Sequence, residues 1–312
     1  MTDEATAFVP GHVTGFFSAH PDADPSVAGS RGAGVTLSHG VDVRIERGGG
    51  DAAVTLNGEA TSVDAVSGVL DALDATDASV AAETPLPLGA GFGVSGAMAL
   101  GTAYAVNAAY DRARTENELV TVAHCAEVEA GTGLGDVVAQ ARGGLPIRLD
   151  PGAPGHGRLD GVPASPRVEY LSFGSVSTEE VLSGDTRALT AAGERALSDL
   201  RERPTPARLV SLSRRFAREA DLLTDHVADA VAAVRAAGGD AAMAMLGDTV
   251  FAFGRDLSAA GYDPEVCSVH AAGATLCSGA VDDADETGRA DDSDRADDLG
   301  TDPDDGTPPE RV

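Results

Sequence analysis

The stretch PLPLGAGFGVSGAMALGTAYAVN, Pro85 to Asn107, runs from a glycine-rich loop straight into an alanine-rich segment without proline. Closely spaced glycines let backbone N–H groups approach an anion with no side chain in the way. The run from Ser95 to Tyr110 has a strong helix former's composition. Its first turn adds the positive end of a helix dipole, so the combination suits a phosphate group. Gly91, Gly93 and Gly96 also satisfy the dinucleotide pattern GxGxxG. That pattern belongs after the first strand of a βαβ unit, with an acidic residue ending the next strand. Here strand-like segments and a helix precede the loop, and the region around Asp111 still reads as helix. A P-loop is excluded because the chain has no lysine. A purely structural glycine turn stays open as the plain alternative.

Downstream, HCAEVEAGTGLGDVVAQARGGLPIR spans His124 to Arg148 and places Glu127, Asp136 and Arg148 around a GTGLG turn. Phosphoryl transfer needs a phosphate cradle, a carboxylate for Mg2+ and a group that orients or deprotonates the acceptor hydroxyl. Ser95, Glu127 and Asp136 suit those roles. Each has an ordinary reading beside it: Ser95 as a helix N-cap, Glu127 on a solvated helix face, Asp136 as a helix cap. Arg148 suits a carboxylate, which a guanidinium grips with two parallel hydrogen bonds; a structural ion pair is the alternative.

Around this centre, Val41 to Glu46 alternates as a strand, and Ala53 to Leu56 follows the turn at Gly48, Gly49 and Gly50. Val66, Val69, Leu70 and Leu73 fall at helical spacing, and Asn117 to Ala130 reads as a further helix. Gly143 to Leu149 returns to strand. Gly152 to Pro166, rich in Pro and Gly, reads as the connection between two halves. Val168 to Phe173 opens the second half as a strand. One long helix is expected to carry Leu209, Leu212, Phe216, Leu223, Val227, Val231 and Val234. The runs MAMLGDTVFAFG and CSVHAAGATL then read as strands. Strands and helices do not alternate as a doubly wound sheet requires, so the expected class is α+β in two lobes, residues 1–165 and 166–280. From Val281 onward the chain holds 13 acids and 3 arginines with almost nothing apolar. Residues 281–312 are expected to form a disordered acidic tail.

Composition narrows the partners. The formal net charge is −28 and all 22 basic side chains are arginine. Such a shell repels phosphate backbones, which argues against nucleic acid. It also suggests a salt-adapted protein that needs high salt to fold. Cys125, Cys267 and Cys277 are odd in number and widely spaced, as expected in a reducing compartment. Met1 to Pro10 lacks the regions of a signal peptide, and no apolar run approaches membrane-spanning length. The expected location is the cytoplasm, with no membrane partner. His20, His39 and His156 have no evident partners and read as surface or loop residues. Arg31 reads either as a neutraliser of substrate or phosphate or as structural.

Pro87, Gly91, Gly93, Ser95 and Gly96 match the phosphate motif PxxxGxGx[ST][SGA] of the GHMP superfamily of small-molecule kinases. PGHVTGFF, Pro10 to Phe17, resembles that superfamily's N-terminal motif. GSRGAG at Gly29 to Gly34 and TGLGDVVAQARGG at Thr132 to Gly144 resemble the archaeal pantoate kinases. The resemblance implies ATP-dependent phosphorylation of the 4-hydroxyl of (R)-pantoate in coenzyme A synthesis. It implies an N-terminal lobe like ribosomal protein S5, a ferredoxin-like C-terminal lobe and a homodimer. By position, Pro87, Gly89, Gly91, Gly93, Ser95 and Gly96 would cradle ATP, and Ser95 with Glu127 would hold Mg2+. Asp136 would act on the acceptor, and Ser30, His124, Arg148 and Thr178 would contact pantoate. Other GHMP kinases, acting on homoserine or mevalonate-type acceptors, and a noncatalytic ATP-binding regulator are the competing readings. Two departures stand out: His12 occupies the place of a lysine in mevalonate kinase and its relatives, and the third motif, in Met243 to Phe253, keeps only Gly247.

Overall fold

A computed structural model describes residues 3–48, 53–175 and 186–277 of the chain. The acidic segment 281–312 and Thr178 lie outside the described residues. Two long strands open the fold, β1 (Glu4–His20) and β2 (Gly29–Glu46). They are followed by β3 (Val54–Leu56), β4 (Glu59–Ala60), α1 (Asp64–Ala72) and β5 (Ser79–Glu83). The glycine loop leads into α2 (Val94–Ala109), then α3 (Glu116–Glu129) and α4 (Asp136–Arg142). Strands β6 (Leu145–Asp150), β7 (Arg158–Val162) and β8 (Arg167–Ser175) come next. Helices α5 (Arg187–Glu202), α6 (Pro206–Glu219) and α7 (Asp225–Ala236) precede β9 (Ala242–Ala244) and β10 (Gly247–Phe253). The described part ends with α8 (Asp256–Ala259), β11 (Glu265–Ser268) and β12 (Thr275–Cys277).

The strands form two sheets. The larger has the order β12-β1-β2-β5-β3-β4, with β6 branching from β2 and carrying β7. The smaller has the order β11-β8-β10-β9 and is antiparallel. The class is α+β, in line with the sequence order of strands and helices. Helix α2 is buried on almost every face, which explains its alanine and glycine content. At Gly101 an added Cβ would lie 2.5 Å from Val43 Cγ2, so the helix approaches β1 and β2 more closely than larger residues permit. With few aromatics to fill space, close approach of small residues supplies the core contacts.

Several expectations require correction. The long helix is two: α6 ends at Glu219 with Ala220 as its C-cap, Asp221 takes a left-handed φ of 55°, and the Thr224 hydroxyl caps α7 by accepting from Val227 N. Apolar spacing runs on through the break because both helices bury the same kinds of face, so periodicity alone hides the cap. The connection at Gly152 to Pro166 contains strand β7, paired with β6. CSVHAAGATL splits between two sheets: β11 pairs with β8, whereas β12 pairs with β1. The residues of β1 and the GSRGAG run, whose glycines obscure strand patterning, form the longest ladder in the molecule, broken by register shifts at Pro10/Gly11 and Thr14/Phe16.

Candidate active site

The glycine loop is shaped by backbone that other residues resist. Gly89, Gly91 and Gly93 have φ of 76°, 88° and 63°. At Gly91 an added Cβ would also sit 3.0 Å from Met245 O and 3.1 Å from Gly247 N. The loop is held from below. Ala90 O accepts from Thr249 Oγ1 at 2.8 Å, Phe92 O from His12 N at 2.9 Å, and Gly93 O from Gln140 Nε2 at 2.9 Å. Gly247 presses on the same loop: a Cβ there would meet Ala90 O at 2.0 Å. The single glycine kept from the third motif therefore admits the loop to the start of β10, an inner strand of the smaller sheet. Gly93 is the N-cap of α2 and offers no side-chain cap. The first N–H groups of that helix are left for an anion.

Ser95 is therefore not the N-cap. It is the second residue of α2, within the first turn, and its hydroxyl donates to Glu127 Oε1 at 2.6 Å. Thr132 Oγ1 donates to the same oxygen at 2.7 Å. Glu127 lies on α3 but is 3% exposed, not on a solvated face. Burial pushes its carboxyl up to about 7, against the lowering effect of the two hydroxyls; the charge of Asp136 adds to the rise. A carboxylate uncomfortable as an anion, beside two hydroxyls, is a hard-oxygen site suited to a cation. No group of three His, Cys, Asp or Glu gathers as a metal cage among the described residues. One carboxylate with hydroxyls fits Mg2+, which keeps waters and takes phosphate oxygens.

Asp136 is the first residue of α4. Its Oδ1 lies 2.6 Å from His12 Nδ1 and 3.5 Å from Thr14 Oγ1. Burial raises the carboxyl's proton affinity, but the hydrogen bond and charge of His12, Arg148 and Thr14 outweigh it and hold it below the usual range. Asp136 is thus an anion on the wall of the same cavity as the glycine loop. That cavity measures about 410 Å³ and is also lined by Thr14, Ser95, Glu127 and Thr132.

The residues expected to contact an acid substrate lie behind Gly135. An added Cβ at Gly135 would be 2.5 Å from Ser30 Oγ and 2.7 Å from Arg148 Nε. The structure thus brings Ser30 and Arg148 together beside the residue that precedes Asp136. Arg148 is 1% exposed, and its Nε and Nη1 have no hydrogen-bond partner among the described residues. Burial lowers its proton affinity, opposed by the charge of Asp136. His124 is buried on α3 and its Nε2 donates to Ala28 O at 2.9 Å, two residues before Ser30. Pro87 is exposed at the start of the loop, and Gly96 lines the cavity from α2.

Other residues resolve differently from the expectation. Arg31 donates to Leu149 O and pairs with Glu194 at 2.6 Å, which is a structural role. His20 bonds Ser18 and Glu194, and His39 Nδ1 lies 2.8 Å from Tyr170 Oη, so both have partners. His156 lies exposed in a loop. Thr14, Thr132 and Gln140 were not legible as site residues. Thr132 and Gln140 lie within TGLGDVVAQARGG, and Thr14 within PGHVTGFF, but small polar residues carry no chemistry until a partner faces them.

Comparison with known proteins follows the same lines. Residues 62–144 match the model of the GHMP kinases N terminal domain. The chain is 31% identical over 274 residues to pantoate kinase of Methanocaldococcus jannaschii, covering 84% of this chain and 99% of that one. It is 36% identical over 264 residues to pantoate kinase of Thermococcus kodakarensis, covering 80% and 87%. Among solved structures, a phosphotransferase related to the CoA biosynthesis pathway superposes with a TM-score of 0.79 at 30% identity, over 88% of this chain and 98% of the other.

Proposed function

The chain belongs to the pantoate kinase family, within the GHMP kinases, and from that premise we propose that it phosphorylates the 4-hydroxyl of (R)-pantoate with ATP. The observation that carries the acid substrate is Arg148: a buried guanidinium with two nitrogens unpartnered among the described residues, beside Gly135 and Ser30. Buried guanidinium N–H groups without hydrogen-bond acceptors are costly, even with the charge of Asp136 nearby, and a carboxylate ligand removes that cost with bidentate bonds. Gly135 adjoins Asp136, so an acid held at Arg148 presents its hydroxyl to that carboxylate.

In this reading the acceptor oxygen bonds to the γ-phosphorus as the bond to the bridging oxygen of ADP breaks. The hydroxyl proton passes to Asp136. The glycine loop and the uncapped first turn of α2 receive the phosphates, and Ser30 and His124 complete the acid site. Ser95 and Glu127, with Thr132 beside them, would hold Mg2+, which supplies neutralising charge to the phosphate oxygens when bound. With a net charge of −28 and no lysine, positive potential at the site must come from Arg148, backbone N–H groups and the metal. We take the lobes to divide near residue 165, the working form to be a homodimer, and the compartment to be the cytoplasm. Among the described residues no helix is long and apolar enough to cross a membrane.

A screen for ADP release in multimolar KCl with Mg2+ tests this. Turnover with pantoate and little with homoserine or mevalonate is expected. Turnover with one of the other acceptors and none with pantoate would reject the assignment.

A further inference from the structure

We propose that His12 is a positioning residue for Asp136: a neutral imidazole that keeps its proton on Nδ1 and fixes the carboxylate through Oδ1, leaving the acceptor's proton to Asp136. This rests on the reading of Asp136 as the group that takes that proton.

Three observations carry it. The first is the contact, His12 Nδ1 to Asp136 Oδ1 at 2.6 Å, the short distance of a hydrogen bond to an ionised acceptor. A carboxylate only accepts, so the proton in that bond belongs to the imidazole. The second is the surroundings of the other nitrogen. His12 is 0% exposed, and Nε2 has no partner among the described residues. A proton on Nε2 would be a buried donor with no acceptor, and an imidazolium would add a buried charge as well. An unpartnered lone pair is the least costly state, so the ring is neutral with Nδ1–H. Burial acts in the same direction by lowering the imidazole's proton affinity, against the pull of Asp136, while the charge of Arg148 also lowers it. Asp136, Arg148 and Thr14 are polar side chains that act on the ring.

The third is how the fold makes room. Gly34 of the GSRGAG run lies opposite Thr14 in the β1–β2 ladder. A Cβ at Gly34 would lie 2.2 Å from His12 Nε2 and 2.9 Å from Cε1. The imidazole fills the volume that a side chain at residue 34 would take. Register shifts at Pro10/Gly11 and Thr14/Phe16 flank the segment, and bulges of this kind re-aim side chains. His12 N is itself tied to Phe92 O in the glycine loop. One residue thus couples the phosphate cradle, through its backbone, to the proton acceptor, through its ring. A lysine at this position would reach Asp136 as a flexible cation with rotatable donors. The imidazole offers one donor in a fixed plane and adds no charge.

The test compares His12→Asn, whose side-chain amide can offer a donor near the position of Nδ1, with His12→Ala. For His12→Ala, kcat should fall about 100-fold while KM for ATP and for pantoate stays within about threefold. His12→Asn should recover at least about tenfold of that loss. Asp136→Asn serves as the reference. If it keeps turnover, the reading of Asp136 fails. If it abolishes turnover while His12→Ala does not lower kcat, or while both His12 variants fall equally, the present proposal fails alone. A measurement on the wild-type protein remains decisive if His12→Ala does not fold. Nitrogen-15 spectra of the histidine side chains in high salt near pH 7 should give a pyrrole-type Nδ1 and a pyridine-type Nε2 for His12. The reverse pattern, or two pyrrole-type nitrogens, overturns the assignment.

Discussion

The two ends of the site are built on opposite principles. At the glycine loop, the carbonyls of Ala90, Phe92 and Gly93 are each bonded, and glycines at 91 and 247 let backbone touch backbone. At the Ser30–Arg148 end, a guanidinium is buried with no partner for Nε and Nη1 among the described residues. The loop is preorganised by bonds internal to the protein, so it costs little to hold ready. The guanidinium is preorganised by being left unsatisfied, so the protein alone bears the cost and the right ligand removes it. In the proposed reading, the backbone cradle takes phosphate groups of any kind, whereas the guanidinium favours an acceptor that carries a carboxylate.

That contrast can be broken most sharply at Arg148. Replacing it with methionine should raise KM for pantoate about 100-fold and leave KM for ATP near wild type. The ligand-free protein should melt at a higher temperature, because the buried charge is gone. A fall in thermal stability would mean that Arg148 is a structural ion-pair partner, and the two ends would no longer differ in kind.

The glycine-loop end should respond in the other direction. Gly247→Ala places a Cβ against Ala90 O, so the loop must shift. KM for ATP should rise about tenfold, with a loss of stability and little change in KM for pantoate. An unchanged ATP dependence would show that the start of β10 does not hold the cradle.

The smallest effect concerns Glu127, which lies between the two ends. Its folded carboxyl titrates near 7 against an ordinary value of 4.5. Below 4.5 folded and unfolded states both carry the proton. As pH rises through 7 the unfolded state is the readier to release it, and the stability contribution is lost. Glu127→Gln keeps an oxygen acceptor without the charge. In metal-free protein it should be more stable than wild type near pH 8, by on the order of 1–3 kcal/mol. The gap should close toward pH 5. Melting curves at the two pH values check this, and equal curves at pH 8 would remove Glu127 as a buried anion. Mg2+-dependent nucleotide binding should weaken in the same variant.

Some of the fold was plain in local sequence. Glycine spacing followed by an alanine-rich run placed the loop and α2, and the helices around Val69 and Asn117 announced themselves by periodicity. The break between α6 and α7 did not, because Thr224 caps a helix whose apolar spacing continues across it. Val41 to Glu46, the end of β2, was legible by alternation, but β1 and the first part of β2 were hidden for another reason. Their glycines at 11, 32 and 34 answer to neighbours far along the chain: Leu86 and His39, the backbone of Phe16 and Phe17, and the His12 ring. Strand patterning reports which face is wet, and both of these strands are buried along most of their length.

By itself the sequence determined the chemistry available: an acidic chain without lysine, a phosphate-binding turn, and the carboxylates and guanidinium a kinase of acids requires. Those follow from residue type and short spacing, which are local. Tertiary structure alone decided which of them meet. His12 reaches Asp136 across 124 residues, Thr132 and Ser95 share one oxygen of Glu127, and Arg148 keeps Nε and Nη1 without acceptors among the described residues. Whether a polar group is satisfied depends on what the fold brings within 3 Å of it, and burial then sets the cost of leaving it alone.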